Sequence, residues 1–207
     1  LPGGSAAVSM AASTNEAYVV TEKGAVVRVG LQGFKALRFR SPIVSVACGL
    51  EHSAFLSRAG VVFCVGKDRG TGALGLRDGD STEVPVPARP VLGRKVAAIA
   101  AGPRCTVAIA NKEGGSGVVF WGRGEDSRPS VREWGAGHFE AHDPLRSIAA
   151  GEGHVAVCSA MGQAYWWGTH DPVRGRDDSE TTDPKHVTGP LAGNAVIQVE
   201  ARRGLTL

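Results

Sequence analysis

Residues 43 to 66 read Ile-Val-Ser-Val-Ala-Cys-Gly-Leu-Glu-His-Ser-Ala-Phe-Leu-Ser-Arg-Ala-Gly-Val-Val-Phe-Cys-Val-Gly, and this pattern returns along the whole chain. Upstream, Val8-Ser9-Met10-Ala11 falls on Val44-Ser45-Val46-Ala47, Gly24 on Gly60 and Gly30 on Gly66, a constant shift of 36 residues. Downstream, Ala98 to Gly102 leads into Val118-Val119-Phe120-Trp121-Gly122, and Ser147 to His154 leads through Gly162 into Tyr165-Trp166-Trp167-Gly168. A further start appears at Val196 to Ala201. Gly49 recurs at Gly102 and Gly151, spacings of 53 and 49 residues. Within the unit, Val44 and Val46, then Ala54 and Leu56, alternate with their neighbours, the mark of half-buried strands. Gly60 stands where the chain must reverse, a position glycine fills without steric cost. Strand units repeating at about 50 residues predict an all-β propeller.

Some positions are more specific. Gly49 with His52, and Gly151 with His154, give Ala-Xaa-Gly-Xaa-Xaa-His. Trp121-Gly122 and Trp167-Gly168 close the later units, as Val65-Gly66 closes the second. These motifs resemble the repeat of the regulator of chromosome condensation family. Gly70-Thr71-Gly72-Ala73-Leu74-Gly75-Leu76 is similar to that family's Gly-Gln-Leu-Gly-Leu signature. The resemblance runs from about residue 8 to 207. It implies a seven-bladed ring of four-stranded blades, about four of them and part of a fifth present here, at 8–42, 43–95, 96–144, 145–195 and 196–207, after a flexible lead-in at 1–7. The remaining blades are expected from the same full-length chain or from a partner. The first repeat departs from the pattern, with Ser13 and Glu16 at the glycine and histidine positions, and Cys105 takes the histidine position of the third.

Several local readings follow. Lys95 to Ala101 is alanine-rich, but Gly102-Pro103 stops it and its equivalents are strand-like, so a strand is expected there. The proline-rich run Val84 to Pro90 predicts a loop or an outer edge strand, because proline cannot donate to a ladder. Asn111 to Gly117 reads as an insertion at the turn of the third repeat. A net charge of +3, from 23 basic and 20 acidic residues, implies no strong field for nucleic acid. No apolar run reaches the length of a membrane span. Cys48, Cys64, Cys105 and Cys158 lack metal or redox spacing and read as small buried hydrophobes of an intracellular, reducing compartment.

No cofactor, metal or catalytic residue is predicted. Gly70-Xaa-Gly72-Xaa-Xaa-Gly75 matches a dinucleotide fingerprint, but Leu76 to Asp80 is turn material where a helix is required. His52, Cys105 and His154 belong to different blades and cannot converge on one ion. A repeated structural hydrogen bond is expected of the histidines. Trp121, Trp166 and Trp167 are expected in blade packing. Function is then expected in the charged connections. Asp68, Arg69, Arg77 and Asp78 lie in the first; Arg123, Glu125, Asp126 and Arg128 in the second; Arg174, Arg176, Asp177 and Asp178 in the third. The expected role is a non-catalytic scaffold docking a protein or a large assembly. The resemblance also implies guanine nucleotide exchange on a Ran-like small GTPase. A chromatin- or RNA-associated adaptor is a third reading, disfavoured by the near-neutral charge.

Overall fold

The computed structural model describes residues 5–31, 33–76, 81–112, 115–123, 130–135, 137–140, 142–168, 181–188, 193–202 and 205–206. It is all-β, with four separate four-stranded antiparallel sheets, each a meander whose successive strands are neighbours. The first comprises β1 (Ala7–Ala12), β2 (Glu16–Thr21), β3 (Val26–Gly30) and β4 (Gly33–Leu37). The second comprises β5 (Ile43–Cys48), β6 (His52–Ser57), β7 (Val62–Gly66) and β8 (Thr82–Pro87). The third comprises β9 (Lys95–Gly102), β10 (Cys105–Lys112), β11 (Gly115–Gly122) and β12 (Ser130–Trp134). The fourth comprises β13 (Leu145–Ala150), β14 (His154–Ser159), β15 (Ala164–Gly168) and β16 (Thr181–His186). A short pair follows, β17 (Ala201–Arg202) with β18 (Leu205–Thr206). Among the described residues no helix is long and apolar enough to cross a membrane.

The sheets stack face to face like blades, with β1, β5, β9 and β13 side by side at the hub. Each seam between sheets is its own hydrophobic core. Phe55 and Val65 of the second sheet meet Tyr18 and Val20 of the first. Ala54, Leu56 and Cys64, on the other face of the same strands, meet Ala108, Val119 and Trp121 of the third. Val107, Ile109 and Trp134 of the third sheet meet Val155, Tyr165 and Trp167 of the fourth. The fourth turns Ala156 and Cys158 toward Val199, at the predicted fifth start.

This stacking corrects the expectation of half-buried strands. All six residues of β6 and of β14 are buried. The alternation in these strands separates two apolar faces that serve two seams, with no wet side between them.

A second correction concerns the hub strands. In all four, the register slips by one residue at the equivalent place, at Val8, Val44, Ala97 and Arg146. Each is a β-bulge, which bends the strand and raises its twist. The slip places Ile43, not Val44, in the core beside Val46; Val44 is only partly buried. Elsewhere β8 is the outer edge of its sheet and accommodates Pro85 and Pro87. The described residues of the expected insertion at 111–117 are strand. They lengthen the β10–β11 hairpin, Asn111 pairing with Ser116 and Lys112 with Gly115.

Glycine explains how close the blades sit. At Gly60 the backbone is left-handed, φ +81°, and its carbonyl accepts from Val96 N of the next sheet at 3.0 Å. A Cβ there would lie 3.1 Å from that nitrogen. Gly24 and Gly162 make the same bond to Ile43 N and Val196 N, at 3.0 and 3.1 Å. The turn glycine is thus the point where one blade docks onto the hub strand of the next.

Candidate interaction face

β5, β9 and β13 run toward one end of the stack, where the turns 49–51, 103–104 and 151–153 lie. The described starts of the connections that leave β7 and β11, residues 67–76 and Arg123, lie at this same end.

Just beneath it, the signature residues tie seams together. Gly49 lies under the His52 ring, so a Cβ there would come 2.1 Å from Cε1. The imidazole reaches across the second seam, with Nε2 3.0 Å from Thr106 Oγ1. Thr106 donates its hydroxyl proton to Ala73 O at 2.8 Å, so the His52 nitrogen is the donor in the first bond. Ala73 N in turn donates to Asp68 Oδ1 at 3.0 Å, and Thr71 Oγ1 donates to the same oxygen at 2.9 Å. The histidine therefore fastens the second sheet, the third sheet and the connection after β7. Burial pushes its pKa down to about 4, partly offset by the Cys105 backbone and the Asp68 charge, so the ring is neutral at pH 7.

The equivalent site differs at each seam. At the first, Glu16 accepts from Tyr18 Oη at 2.6 Å and pairs with Arg28 at 3.2 Å. At the third, Cys105 sits against Gly102, whose added Cβ would meet Sγ at 2.7 Å. Burial pushes the Cys105 thiol up to about 11 and Cys64 up to about 12, the opposite of an activated nucleophile. All four cysteines are free. His52 and His154 lie in different sheets, and among the described residues no group of three or more potential ligands is placed to hold a metal. Residues 70–75 pack as a turn, with Leu74 fully buried and Gly75 (φ +67°) against the Trp121 ring. Trp121, Trp166 and Trp167 are all buried.

On the surface, the predicted contact residues divide. Asp68 is only 2% exposed and faces inward, holding its own loop. Arg69 is exposed and forked onto Glu51, its Nη2 2.8 Å from Oε1 and its Nε on the other oxygen. That guanidinium hydrogen bond holds the Glu51 carboxyl below its ordinary range. Arg123 is exposed and its N donates to Arg104 O at 3.0 Å. Arg69 and Arg123 have left-handed backbones, φ +48° and +54°, uncommon for non-glycine residues. Arg77, Asp78, Glu125, Asp126, Arg128, Arg174, Arg176, Asp177 and Asp178 lie outside the described residues.

Leu50, Pro103 and Glu152 all follow the repeat glycine at the hub. Together with Arg104 and Arg123 they line a depression of about 450 Å³ shared by three blades. Leu50 is 48% exposed there, although its N is fixed to Pro103 O at 3.1 Å. Leu50, Pro103 and Glu152 are not among the sequence-predicted contacts, which lie in the long connections. Their common register, one place after Gly49, Gly102 and Gly151, was the signal available. Thr106 and Trp134 were also missed. Nothing in one sequence marks the acceptor across a seam or an outer-strand tryptophan.

No family model matches the chain. Among solved structures it is similar to human WBSCR16, at 19% identity and TM-score 0.77 over 98% of this chain and 57% of that one. It is similar to yeast RCC1 (Prp20), seen bound to Kap60, at 22% identity and TM-score 0.70 over 97% and 53%. A further structure of Saccharomyces cerevisiae Prp20p, described with its binding to Gsp1p and histones, gives 22% and TM-score 0.69 over 96% and 54%. The fold is therefore RCC1-like, and the chain spans little more than half the length of these structures.

Proposed function

We propose that the chain is a non-catalytic propeller scaffold that docks other proteins through the face carrying the turns 49–51, 103–104 and 151–153. One observation carries this reading. Both described non-glycine residues with left-handed backbones, Arg69 and Arg123, stand on that face, flanking a depression with exposed Leu50 at its edge. Strained backbone persists where surrounding structure over-determines it, and such places cluster at binding sites. The chemistry supports binding over reaction, since the buried histidine and thiols are held in inert forms by burial. Four free thiols, three of them buried and Cys48 only partly so, suit a reducing compartment inside the cell. The connections at 67–80, 123–128 and 170–180 are the proposed rim contacts, and further blades are proposed to come from the full-length protein or a partner.

The test is quantitative affinity purification of the full-length protein, wild type against charge reversals at Arg69 and Arg123. Loss of specific partners supports the face. Recovery of the same partners in the same amounts removes it.

A second reading is guanine nucleotide exchange on a small GTPase. Its support is the likeness in fold to Prp20p, the protein described with binding to Gsp1p and histones. A nucleotide-release assay on candidate GTPases separates the two. Acceleration by catalytic amounts of the protein establishes exchange, and unchanged release leaves the scaffold alone.

A further inference from the structure

The depression at the hub joins residues of the short turns to Arg123 at the start of a long connection. Its apolar part is Leu50 and Pro103, and its charged part is Arg104, Arg123 and Glu152. Among the described residues neither arginine is in an ion pair, whereas Arg69 nearby is taken up by Glu51. Lys67, also exposed, stands in the adjoining cleft beside Leu50, Pro103 and Arg104. The Asp68 carboxylate in that cleft is turned inward onto Thr71 and Ala73. Among the described residues, Lys67, Arg69, Arg104 and Arg123 thus stand around Leu50 against Glu51, Glu152 and the inward-turned Asp68, an excess of one positive charge.

The frame beneath them is rigid. Leu50 N is held by Pro103 O, and Leu50 O accepts from Thr14 Oγ1 of the first sheet at 3.1 Å. Arg123 N is held by Arg104 O, and Gly122 fits so tightly on that carbonyl that a Cβ would come within 2.5 Å. Hydrogen bonds among three blades therefore fix the backbone positions from which Leu50, Arg104 and Arg123 project before any partner arrives. Preorganisation of this kind lowers the entropic cost of association.

Resting on the scaffold reading above, we infer that this hub depression binds an acidic segment of a partner protein. One apolar side chain of that segment packs on Leu50 and Pro103, and flanking carboxylates meet Arg104 and Arg123. Guanidinium pairs with carboxylate through two parallel bonds, which supplies direction as well as charge. The positive balance among the described residues argues against a basic segment.

The experiment uses the intact protein to select from a random peptide display library, with counter-selection on the R104E/R123E variant. Enriched sequences are expected to carry an apolar residue between Asp or Glu. A synthetic peptide of that sequence, labelled for fluorescence anisotropy, should bind the R104E/R123E protein about tenfold more weakly or worse, and L50S about three- to tenfold more weakly. Its affinity should fall steeply with salt, and a copy with Lys in place of Asp and Glu should not bind. Enrichment of basic or neutral peptides, equal binding to R104E/R123E, or no enrichment at all overturns the inference. Circular dichroism melting of the variants confirms that they are folded. If R104E/R123E retains the natural partners while R69E loses them, the hub inference fails and the scaffold stands; if neither loses them, both fail.

Discussion

At the second seam, a hydrogen-bonded chain runs from His52 through Thr106 and Ala73 to Asp68, over aliphatic residues that close around Trp121. At the third seam, Cys105 replaces the histidine and the core is aromatic. Trp134 lies 4.8 Å from Trp167, and Phe139 lies 5.2 Å from Tyr165, ring centre to ring centre. The strands on either side are equivalent and the sheets have the same topology. One repeat geometry can therefore be joined by a polar staple or by ring packing, provided glycine keeps the hub close. The two solutions should fail in different ways.

The largest contrast is expected from the tryptophans. Trp121 is fully buried between Leu74, Gly75 and the second sheet, and backbone-fixed neighbours cannot fill its place. Trp121→Ala should cost about 5 kcal/mol, the upper end for a large core truncation. Trp167→Ala leaves a space that the Trp134 and Phe139 rings can enter, so about 3 kcal/mol is expected. Urea denaturation of both variants measures the difference. A larger loss for Trp167→Ala would reverse the assignment of the more rigid seam.

Acid separates the seams next. His52 is neutral in the folded protein with a pKa of about 4, against 6.5 for the free side chain. Between those values the unfolded chain binds the extra proton, so stability is full above pH 6.5 and falls as the pH drops toward 4. The whole effect is about 3 kcal/mol. His52→Cys copies the third seam's residue. It should lose about 1–3 kcal/mol at pH 7.5 through the orphaned Thr106 contact, but it should flatten this part of the acid slope. An unchanged slope between pH 6.5 and 4 would place the acid sensitivity elsewhere.

These seams also show what the sequence could and could not convey. The blades were legible because each repeats a strand, a turn glycine and a closing glycine, and steric need fixes those residues wherever two backbones touch. Gly60 and Gly66 are of this kind; at Gly66 (φ +124°) a Cβ would lie 2.3 Å from Glu51 O. The bulge at Val44 was not legible. An extra residue in a strand leaves no composition signal, and it shifts the apolar register by one place. His52 was read as a structural bond, but its acceptor Thr106 lies 54 residues on and depends on how blades stack. Asp68 was grouped with exposed charges because it sits in a polar run. Burial of that carboxylate follows from the loop folding back over Trp121, a tertiary event. Leu50 and Arg104 sit in short turns, which carry too few residues to form a pattern.

The polar staple admits a finer test in the indole nitrogens. Trp134 Nε1 donates to Thr182 O at 3.1 Å, whereas Trp121 Nε1 has no acceptor among the described residues. Trp→Phe removes similar volume at both places, but only at Trp134 does it strand a carbonyl. Trp134→Phe should therefore exceed Trp121→Phe in cost by about 1 kcal/mol. Denaturation midpoints with matched slopes read this directly. An excess at Trp121 would mean that packing, and not hydrogen bonding, sets the finer energetics of both seams.

The smallest effect belongs to the surface pair that resembles a staple and is not one. Arg69 and Glu51 join two turns of a single sheet and cross no seam. Both are in solvent, where salt screens the attraction and ordering two side chains offsets it. Arg69→Ala should leave the melting temperature unchanged within error, while Arg69→Gly should raise or preserve it by relieving the left-handed backbone at φ +48°. If Arg69→Ala lowers the melting temperature as much as His52→Cys does, the pair is structural, and the contrast between a buried staple and an exposed ion pair loses its basis.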